Sequence, residues 1–528
     1  MNKLLLCLKD VCFGYPDMER FLLEGVSLSI YSGDRIGLLG YNGAGKTTLL
    51  DLIEGIKKPD RGSADRFSER IFYLQQEDYA SGEMGVLDYL LSGRSGFLQV
   101  YREIKKVENG EITDAIKYAE LVEKFNEIRG FEFLHKIERA ITLFGFSSEV
   151  LKRKVNTLSG GERRLLKLAS GFINESDLFL LDEPTNYLDD RGIKFLVDGI
   201  NSSQAAFLIV SHNRWFLDQT VKKIIEIEQR TIRKYSGNYT VFFKTKADEI
   251  NEKLRKKEKI EGEIRHLKEI ERSYKIWGKR KEKEKIGAGD KGFIGHRAAK
   301  LMKRAKSAKE RIHKKIEELE HSKPYIEKFY DIRFEKVKIH RGGCLSVNEL
   351  SKSFGDKILF NDFSFTIGWG ERVALLGPNG SGKTTLLEIL LGIIPSDRGE
   401  VNWGKLTSIG YLPQEWNSEE DEIRISDLFP RDMHHKAQIL MGCLKVKGDN
   451  FYRKLSELSE GQKRKIKIVK LILSEHNILI LDEPTSHLDY ITVEKLEEAL
   501  IKFNGTVILV THDRFLRERV TTREIKLG

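Results

Sequence analysis

Gly40-Tyr41-Asn42-Gly43-Ala44-Gly45-Lys46-Thr47 matches G-x-x-x-x-G-K-[ST], and the pattern returns at Gly377-Pro378-Asn379-Gly380-Ser381-Gly382-Lys383-Thr384. Each copy follows a short apolar run, residues 35–39 and 372–376, that reads as a buried strand. Each opens a helical pattern over 48–53 and 385–390, with Thr48 and Thr385 next after the motif. Strand, glycine-rich turn and helix in that order make a phosphate cradle. The glycines let backbone N–H groups close around phosphate oxygens. The helix N-terminus adds partial positive charge, and the lysine reaches the terminal phosphates. The hydroxyls of Thr47 and Thr384 suit Mg2+.

The duplication extends outward from these loops. Lys46 and Lys383 are 337 residues apart, and Gln76 and Gln414 are 338 apart. Ser159 and Ser459, Glu183 and Glu483, and His212 and His512 are each 300 apart. The one step in the offset, 338 − 300 = 38, gives the first copy an extra segment between Gln76 and Ser159. We place it in residues 93–146, where Ile104, Val107, Ile112, Ile116, Ala119 and Val122 predict a helix–turn–helix. Short apolar strands alternating with helical periods predict an α/β fold with a largely parallel sheet in each copy.

Between the copies the texture changes. Ile250, Leu254, Ile260, Ile264, Leu267, Tyr274 and Trp277 form one narrow apolar stripe. Ala298, Leu301, Ala305, Ala308, Ile312, Ile316 and Leu319 form a second. Such stripes mark a coiled-coil seam. The glycine-rich run 287–295 separates them, so an antiparallel helical hairpin is expected, with a first arm over 241–277 and a non-helical tip over about 278–296. Residues 271–311 hold 15 Lys+Arg against 5 Asp+Glu, a net of 15 − 5 = +10. That equals the formal charge of the whole chain, so the remainder is balanced. A charge so concentrated suits a polyanionic partner. The expected domains are therefore 1–240, 241–341 and 342–528.

Composition narrows the classes. The 528 residues are 40% hydrophobic, enough for real cores, and no apolar run reaches the roughly 18 residues a membrane helix needs. The apolar start, residues 1–7, is cut short by Lys9-Asp10 and reads as a first strand rather than a signal sequence. Cys7, Cys12, Cys344 and Cys443 have no metal-like or framework spacing, as expected of reduced, buried thiols in a cytoplasmic protein.

Two apolar strands end in paired acids, Asp182-Glu183 and Asp482-Glu483. The first acid of each pair suits Mg2+, and the second is placed to polarise or deprotonate a water. Leu158-Ser-Gly-Gly-Glu162 and Leu458-Ser-Glu-Gly-Gln462 precede those acids at equal distance. They offer a hydroxyl, free N–H groups and a helix dipole to an anion, and alone could be simple helix caps. His212 and His512 follow another apolar strand, where an imidazole can meet a terminal phosphate and the attacking water.

Together these strings resemble the ABC ATPase family, over roughly 1–236 and 343–528. The resemblance implies two tandem P-loop ATPase domains that close face to face on ATP and Mg2+. Gln76 and Gln414 would be the Q-loop residues and join the metal set of Thr47, Asp182, Thr384 and Asp482. Asp189 and Asp489 would be the D-loops. One ATP would lie between Gly40, Asn42, Gly43, Gly45, Lys46, Thr47 and Thr48 and the opposite signature, Ser459 and Gly461. The other would lie between Gly377, Asn379, Gly380, Gly382, Lys383, Thr384 and Thr385 and the signature Ser159 and Gly161. Tyr15 and Phe354 would stack under adenine. Glu183, Glu483, His212 and His512 would be catalytic at two composite sites. Glu460 departs from the family's usual glycine, and its carboxylate would have to turn away from the phosphates.

Two such domains, a basic hairpin between them and Tyr235-Ser-Gly-Asn-Tyr239 before it resemble the ABC-F class. Its members enter the ribosomal exit site and direct the linker at the P-site tRNA and the peptidyl-transferase centre. The long tip, residues 290–304 above all, resembles the antibiotic-resistance subgroup. That implies protection against lincosamide, streptogramin A and pleuromutilin drugs, contact with 23S rRNA and P-site tRNA, and tip residues Trp277, Lys291, Phe293, Ile294, His296 and Arg297 near the drug site. It further implies a cytoplasmic monomer, an intramolecular pseudo-dimer with no obligate partner protein and no membrane. A housekeeping factor of the same class, or less readily a transporter motor subunit, are the alternative readings. The extra segment of the first copy resembles a short form of the class's arm.

Overall fold

The computed structural model describes residues 3–16, 18–76, 80, 82–94, 96–111, 114–284, 291–324, 332–338, 342–355, 357–414, 421–446 and 448–527. Within the helical hairpin, the side chains of 274, 275, 277–284 and 291–305 also lie outside the description. The chain divides into two compact units, 1–239 with 330–528, and Thr240–Phe329.

The first unit holds both cassettes. In the N-terminal cassette the strands are β1 (Leu4–Phe13), β2 (Leu23–Tyr31), β3 (Arg35–Gly40), β4 (Arg61–Arg66), β5 (Ile71–Leu74), β6 (Leu178–Asp182), β7 (Ala206–Val210), β8 (Lys223–Glu228) and β9 (Thr231–Ser236). Strands β5-β6-β7-β3-β8-β9 form one sheet, parallel except for β9, and β2-β1-β4 form a small antiparallel one. Every residue of β6 and β7 is buried, as an unbroken apolar run requires when both faces of a parallel sheet are covered. The helices are α1 (Lys46–Glu54), α2 (Val86–Ser92), α3 (Phe97–Glu108), α4 (Ala115–Glu127), α5 (Gly130–Leu143), α6 (Gly160–Ile173), α7 (Asp190–Ser202) and α8 (Arg214–Thr220). The expected helix–turn–helix is thus three helices, α3 to α5. Ile116, placed on its apolar face by spacing, is 75% exposed. The core there is aromatic instead: Phe97 lies 4.8 Å from Phe133 and 6.4 Å from Phe125, ring to ring.

The hairpin, taken by itself, is α9 (Tyr239–Glu284) and α10 (Lys291–Ser322). At 1.5 Å per residue its 46-residue first arm is about 69 Å long. Helix runs on past Trp277 to Glu284 and resumes at Lys291, so the expected non-helical stretch over 278–296 shrinks from both sides. Lysine, glutamate and arginine are good helix formers, and the charged run 279–284 is made of them alone. Residues 285–290, and the side chains of Trp277, Lys291, Phe293, Ile294, His296 and Arg297, lie outside the description. Ile264 and Ile316 are buried in the seam, while Leu254 is 40% exposed. Glu271 pairs His313 at 3.3 Å and Lys309 at 3.7 Å, fixing the antiparallel register.

The C-terminal cassette repeats the plan with β10 (Gly343–Phe354), β11 (Lys357–Gly368), β12 (Arg372–Leu376), β13 (Arg398–Trp403), β14 (Ile409–Leu412), β15 (Ile478–Asp482), β16 (Thr506–Val510) and β17 (Arg523–Lys526). Strands β14-β15-β16-β12-β17 form its all-parallel sheet and β11-β10-β13 its small one. Its helices are α11 (Lys383–Leu390), α12 (His434–Cys443), α13 (Glu460–Leu473), α14 (Tyr490–Lys502) and α15 (Arg514–Val520). All four cysteines are free; Cys344 and Cys443 are buried, but Cys7 and Cys12 are only half-buried.

The cassettes meet through α8 and α15. Arg514 lies over the Trp215 ring at 4.1 Å, and Arg214 over Phe515 at 5.3 Å. Arg214 is buried and also pairs Glu497 at 2.6 Å and Asp513 at 3.1 Å. Asn213 stands where Asp513 does, so Arg514 has no matching carboxylate from that position.

Candidate functional site

Parallel strands deliver their carboxyl ends to one edge of each sheet, where ligands of open α/β sheets bind. In register, Asp182 pairs with Val210 and Leu38 pairs with the same residue, so the phosphate loop, the acids and the histidine converge. Asp482 pairs with Val510 in the second cassette.

The loops are formed as the motif demands. Gly43, Gly45, Gly380 and Gly382 have φ of +80°, +99°, +75° and +93°, where a side chain is strained. Lys46 Nζ donates to Gly40 O at 2.9 Å and Tyr41 O at 3.1 Å. Lys383 Nζ donates to Gly377 O at 2.7 Å and Pro378 O at 2.9 Å. Thr47 Oγ1 donates to Asp182 Oδ2 at 2.6 Å, and Thr384 Oγ1 to Asp482 Oδ2 at 2.8 Å. Asp482 Oδ1 is buried with no hydrogen-bond partner among the described residues. A hydroxyl and a carboxylate side by side, with an oxygen to spare, are hard donors that fit Mg2+.

Glu183 and Glu483 have φ of +47° and +45°. This left-handed kink turns each glutamate out of its strand while its N–H still donates to Val210 O (2.8 Å) or Val510 O (2.9 Å). Glu183 is buried and the Glu483 side chain is 12% exposed, and the Oε1 of each is itself buried with no hydrogen bond among the described residues. His212 Nε2 stands 3.3 Å from Glu183 Oε1, and His512 Nε2 stands 3.6 Å from Glu483 Oε1. Burial, with the Asp182 charge beside it, pushes Glu183 up to about 8. Burial, then the Lys46 charge, pulls His212 down to about 3. Burial opposes the charged form of His512 too, but Asp190 and Glu483 outweigh it and hold His512 above its usual value.

Each loop meets the other cassette. Asn42 Nδ2 donates to His487 O at 2.8 Å, and Asn379 Nδ2 to Tyr187 O at 3.2 Å. His487 and Tyr187 can turn those carbonyls outward because each has positive φ, +60° and +66°. The signature glycines follow from this crossing. A Cβ on Gly461 would lie 2.5 Å from His487 O and 2.8 Å from Asn42 Nδ2. A Cβ on Gly161 would lie 2.7 Å from Tyr187 O. Ser159 and Ser459 form capping boxes with Glu162 and Gln462. A hydroxyl that accepts there keeps its O–H for another acceptor. Glu460 turns to Lys463 at 3.2 Å, with its side chain 59% exposed.

Tyr15 OH lies 3.1 Å from Thr48 Oγ1, beside the first turn of α1. Phe354 is 56% exposed at the end of β10, with Lys352 Nζ 5.3 Å from its ring. Gln76 and Gln414 are exposed, and each serves the fold through its carbonyl.

Sequence reasoning missed the residue that holds those carbonyls. Arg164, fully buried, donates through Nη1 to Gln75 O and Gln76 O, and through Nη2 to Asp182 O and Glu183 O, all within 2.8–3.0 Å. Arg464 repeats this with Pro413 O, Gln414 O, Asp482 O and Glu483 O. An arginine repeated at the 300-residue offset, five residues after each signature serine, was the available signal. Asp190, which follows the D-loop Asp189, was also missed, and its mismatch with Tyr490 was the clue.

The ABC transporter family profile matches residues 23–186 and 360–486. The chain belongs to the ABC family, in its F branch. Among its relatives, the ribosome protection protein VmlR of Bacillus subtilis is 31% identical over 97% of this chain and 85% of its own length. ABC transporter F family member 2 of Arabidopsis thaliana is 30% identical over 96% and 74%. The probable ATP-binding protein YheS of Escherichia coli K12 is 31% identical over 96% and 76%. Among solved structures, an archaeal ribosome recycling factor, aABCE1, in complex with the stalk protein aP1, covers 98% of this ABC-F chain with a TM-score of 0.57 at 20% identity. That likeness speaks for the tandem fold alone. Among the described residues, no helix is long and apolar enough to cross a membrane.

Proposed function

We propose that this chain is a ribosome-binding ATPase with two composite sites, which enters the exit site and uses its basic hairpin near the peptidyl-transferase centre to protect against large-subunit antibiotics. The observation that carries the reading is the +10 charge gathered in residues 271–311 of a hairpin about 69 Å long. Such a rod has the charge to offset rRNA phosphates and the length to reach into a cleft.

At each site the lysine exchanges its own loop carbonyls for phosphate oxygens, and the opposite signature supplies N–H groups and a serine hydroxyl. Bound at Thr47 and Asp182, or Thr384 and Asp482, with the Gln76 or Gln414 side chain beside them, Mg2+ would neutralise phosphate charge. Glu183 and Glu483 take the proton from the attacking water at Oε1. His212 and His512 orient the water and the terminal phosphate. Tyr15 and Phe354 supply the faces for adenine. The hairpin tip, Phe293 and Ile294 with Trp277, Lys291, His296 and Arg297 around them, is read as acting among rRNA bases.

A second reading is a general translation factor of the same branch. It is favoured by the equal 31% identity to YheS, whose name carries no drug function. Drug susceptibility in a sensitive host, with and without the gene, tests the choice across lincosamides, pleuromutilins, macrolides and oxazolidinones. Raised resistance to at least the lincosamide and pleuromutilin drugs is expected, and Phe293→Ala should lower it while sparing ATP turnover. No shift for any drug would leave the general factor as the better reading. With Glu183→Gln and Glu483→Gln together, ATP should hold the protein on ribosomes. Sedimentation free of ribosomes would count against both.

A further inference from the structure

We propose that Asp190, contributed by the N-terminal cassette, is a positioning residue for hydrolysis at the C-terminal cassette's site, and that its counterpart Tyr490 does not do this for the other site. The inference rests on the reading that both composite sites hydrolyse ATP.

Asp190 is the first residue of α7. Its Oδ1 lies 3.4 Å from His512 Nδ1, across the interface between the cassettes. Its Oδ2 lies 3.5 Å from Arg517 Nη1, one turn along α15. His512 continues inward, with Nε2 3.6 Å from Glu483 Oε1 and its N–H donating to Glu483 Oε2 at 3.3 Å. The result is an Asp190–His512–Glu483 chain that starts in one cassette and ends at the proposed base of the other. It borders a cavity of about 170 Å3 whose lining includes Asp189, Asp190, Gly377, Lys383 and His512. An acceptor on Nδ1 fixes the orientation of an imidazole and the atom it presents on its other side. Here that atom is Nε2, and it faces the site.

The other site is built differently. At the same offset stands Tyr490, whose OH donates to Glu226 Oε1 at 2.6 Å, within its own buried contact. His212 Nδ1 is buried with no hydrogen-bond partner among the described residues. The nearby exchange is also of charge: Lys465, paired to Asp489 at 2.5 Å, occupies the place of Leu165. So the first site opposes its histidine with a neutralised lysine pair, and the second opposes its histidine with a carboxylate.

A plain helix-terminus role for Asp190 would affect stability and both sites alike. The positioning role affects one site and its turnover. The test uses the full chain with one site silenced at a time: Glu183→Gln leaves the C-terminal cassette's site, and Glu483→Gln leaves the other. In Glu183→Gln, adding Asp190→Ala should lower kcat about ten-fold or more, with KM for ATP within about two-fold, because misorientation acts on turnover. Asp190→Glu should recover much of the loss, and Asp190→Asn, closest in shape, guards against a folding defect in the alanine variant. The loss should be at least about five times larger in Glu183→Gln than in Glu483→Gln. Equal losses in both backgrounds, a change confined to KM, or no recovery with glutamate would overturn the assignment. Absence of turnover in both single-site backgrounds, with the unaltered chain active, would instead overturn the two-site reading beneath it.

Discussion

The two cassettes differ most in the helices each packs on itself and least in the carbonyls and turns that frame the phosphate loops. Between Gln76 and Ser159 the first carries 38 residues more than the second, folded as α3 to α5 around Phe97, Phe125 and Phe133. The second fills the same interval with α12 and short turns around Phe429 and Phe451. Yet Arg164 and Arg464 reach corresponding carbonyls, and Asn42 and Asn379 reach corresponding turns. Packing admits many solutions of equal volume, whereas a carbonyl 2.8 Å away admits very few donors.

The sharpest test of that likeness is at the glutamates. Glu183→Gln combined with Glu483→Gln should reduce steady-state ATP turnover about 10²–10⁴-fold, the usual worth of a positioned base. Each single change should leave a measurable remainder, and a single change that abolishes turnover would mean the sites fire only together. Next come the paired arginines. Arg214→Ala should cost about 3 kcal/mol of stability, since it leaves buried Asp513 without its ion-pair partner and Glu497 with Arg519 alone. Arg514→Ala should cost only about 0.5–2 kcal/mol, the scale of its contact with Trp215. Equal shifts in urea melts would show that the interface is more symmetric than its contacts.

Phe133→Ala should destabilise the first cassette by about 3–5 kcal/mol, through the cavity it leaves against Phe97. If only the α3–α5 segment loosens, by hydrogen exchange, that segment is an independent cooperative unit. The smallest effects belong to the loop asparagines. Asn42→Ala and Asn379→Ala should each weaken closure by about 0.5–1.5 kcal/mol, the first more than the second because its bond is shorter. ATP affinity of the two single-site variants would reveal the difference.

Much of this was legible in the chain. The loops, acids, signatures and histidines lie on strands and turns whose periods are short and local, and the 300-residue offset pairs them without any coordinates. What was not legible was anything set by a partner far away in sequence. Ile116 has a helical place but stays exposed among the described residues. The glycines of 287–295 suggested a wide tip, but helix persists to Glu284 and restarts at Lys291 because the flanking residues favour it. Asp190 and Tyr490 look like ordinary helix starts until the opposite cassette shows what faces them.

The kinked glutamates carry a consequence for anyone selecting variants. A non-glycine residue at φ near +45° is strained by about 1–3 kcal/mol, and Glu183 and Glu483 are the two such residues that also carry the catalytic reading. Glycine or asparagine at either position would relax the backbone and remove a buried carboxyl at once. A library sorted for heat resistance alone would therefore gather substitutions at 183 and 483, and its hardiest clones would be among its least active.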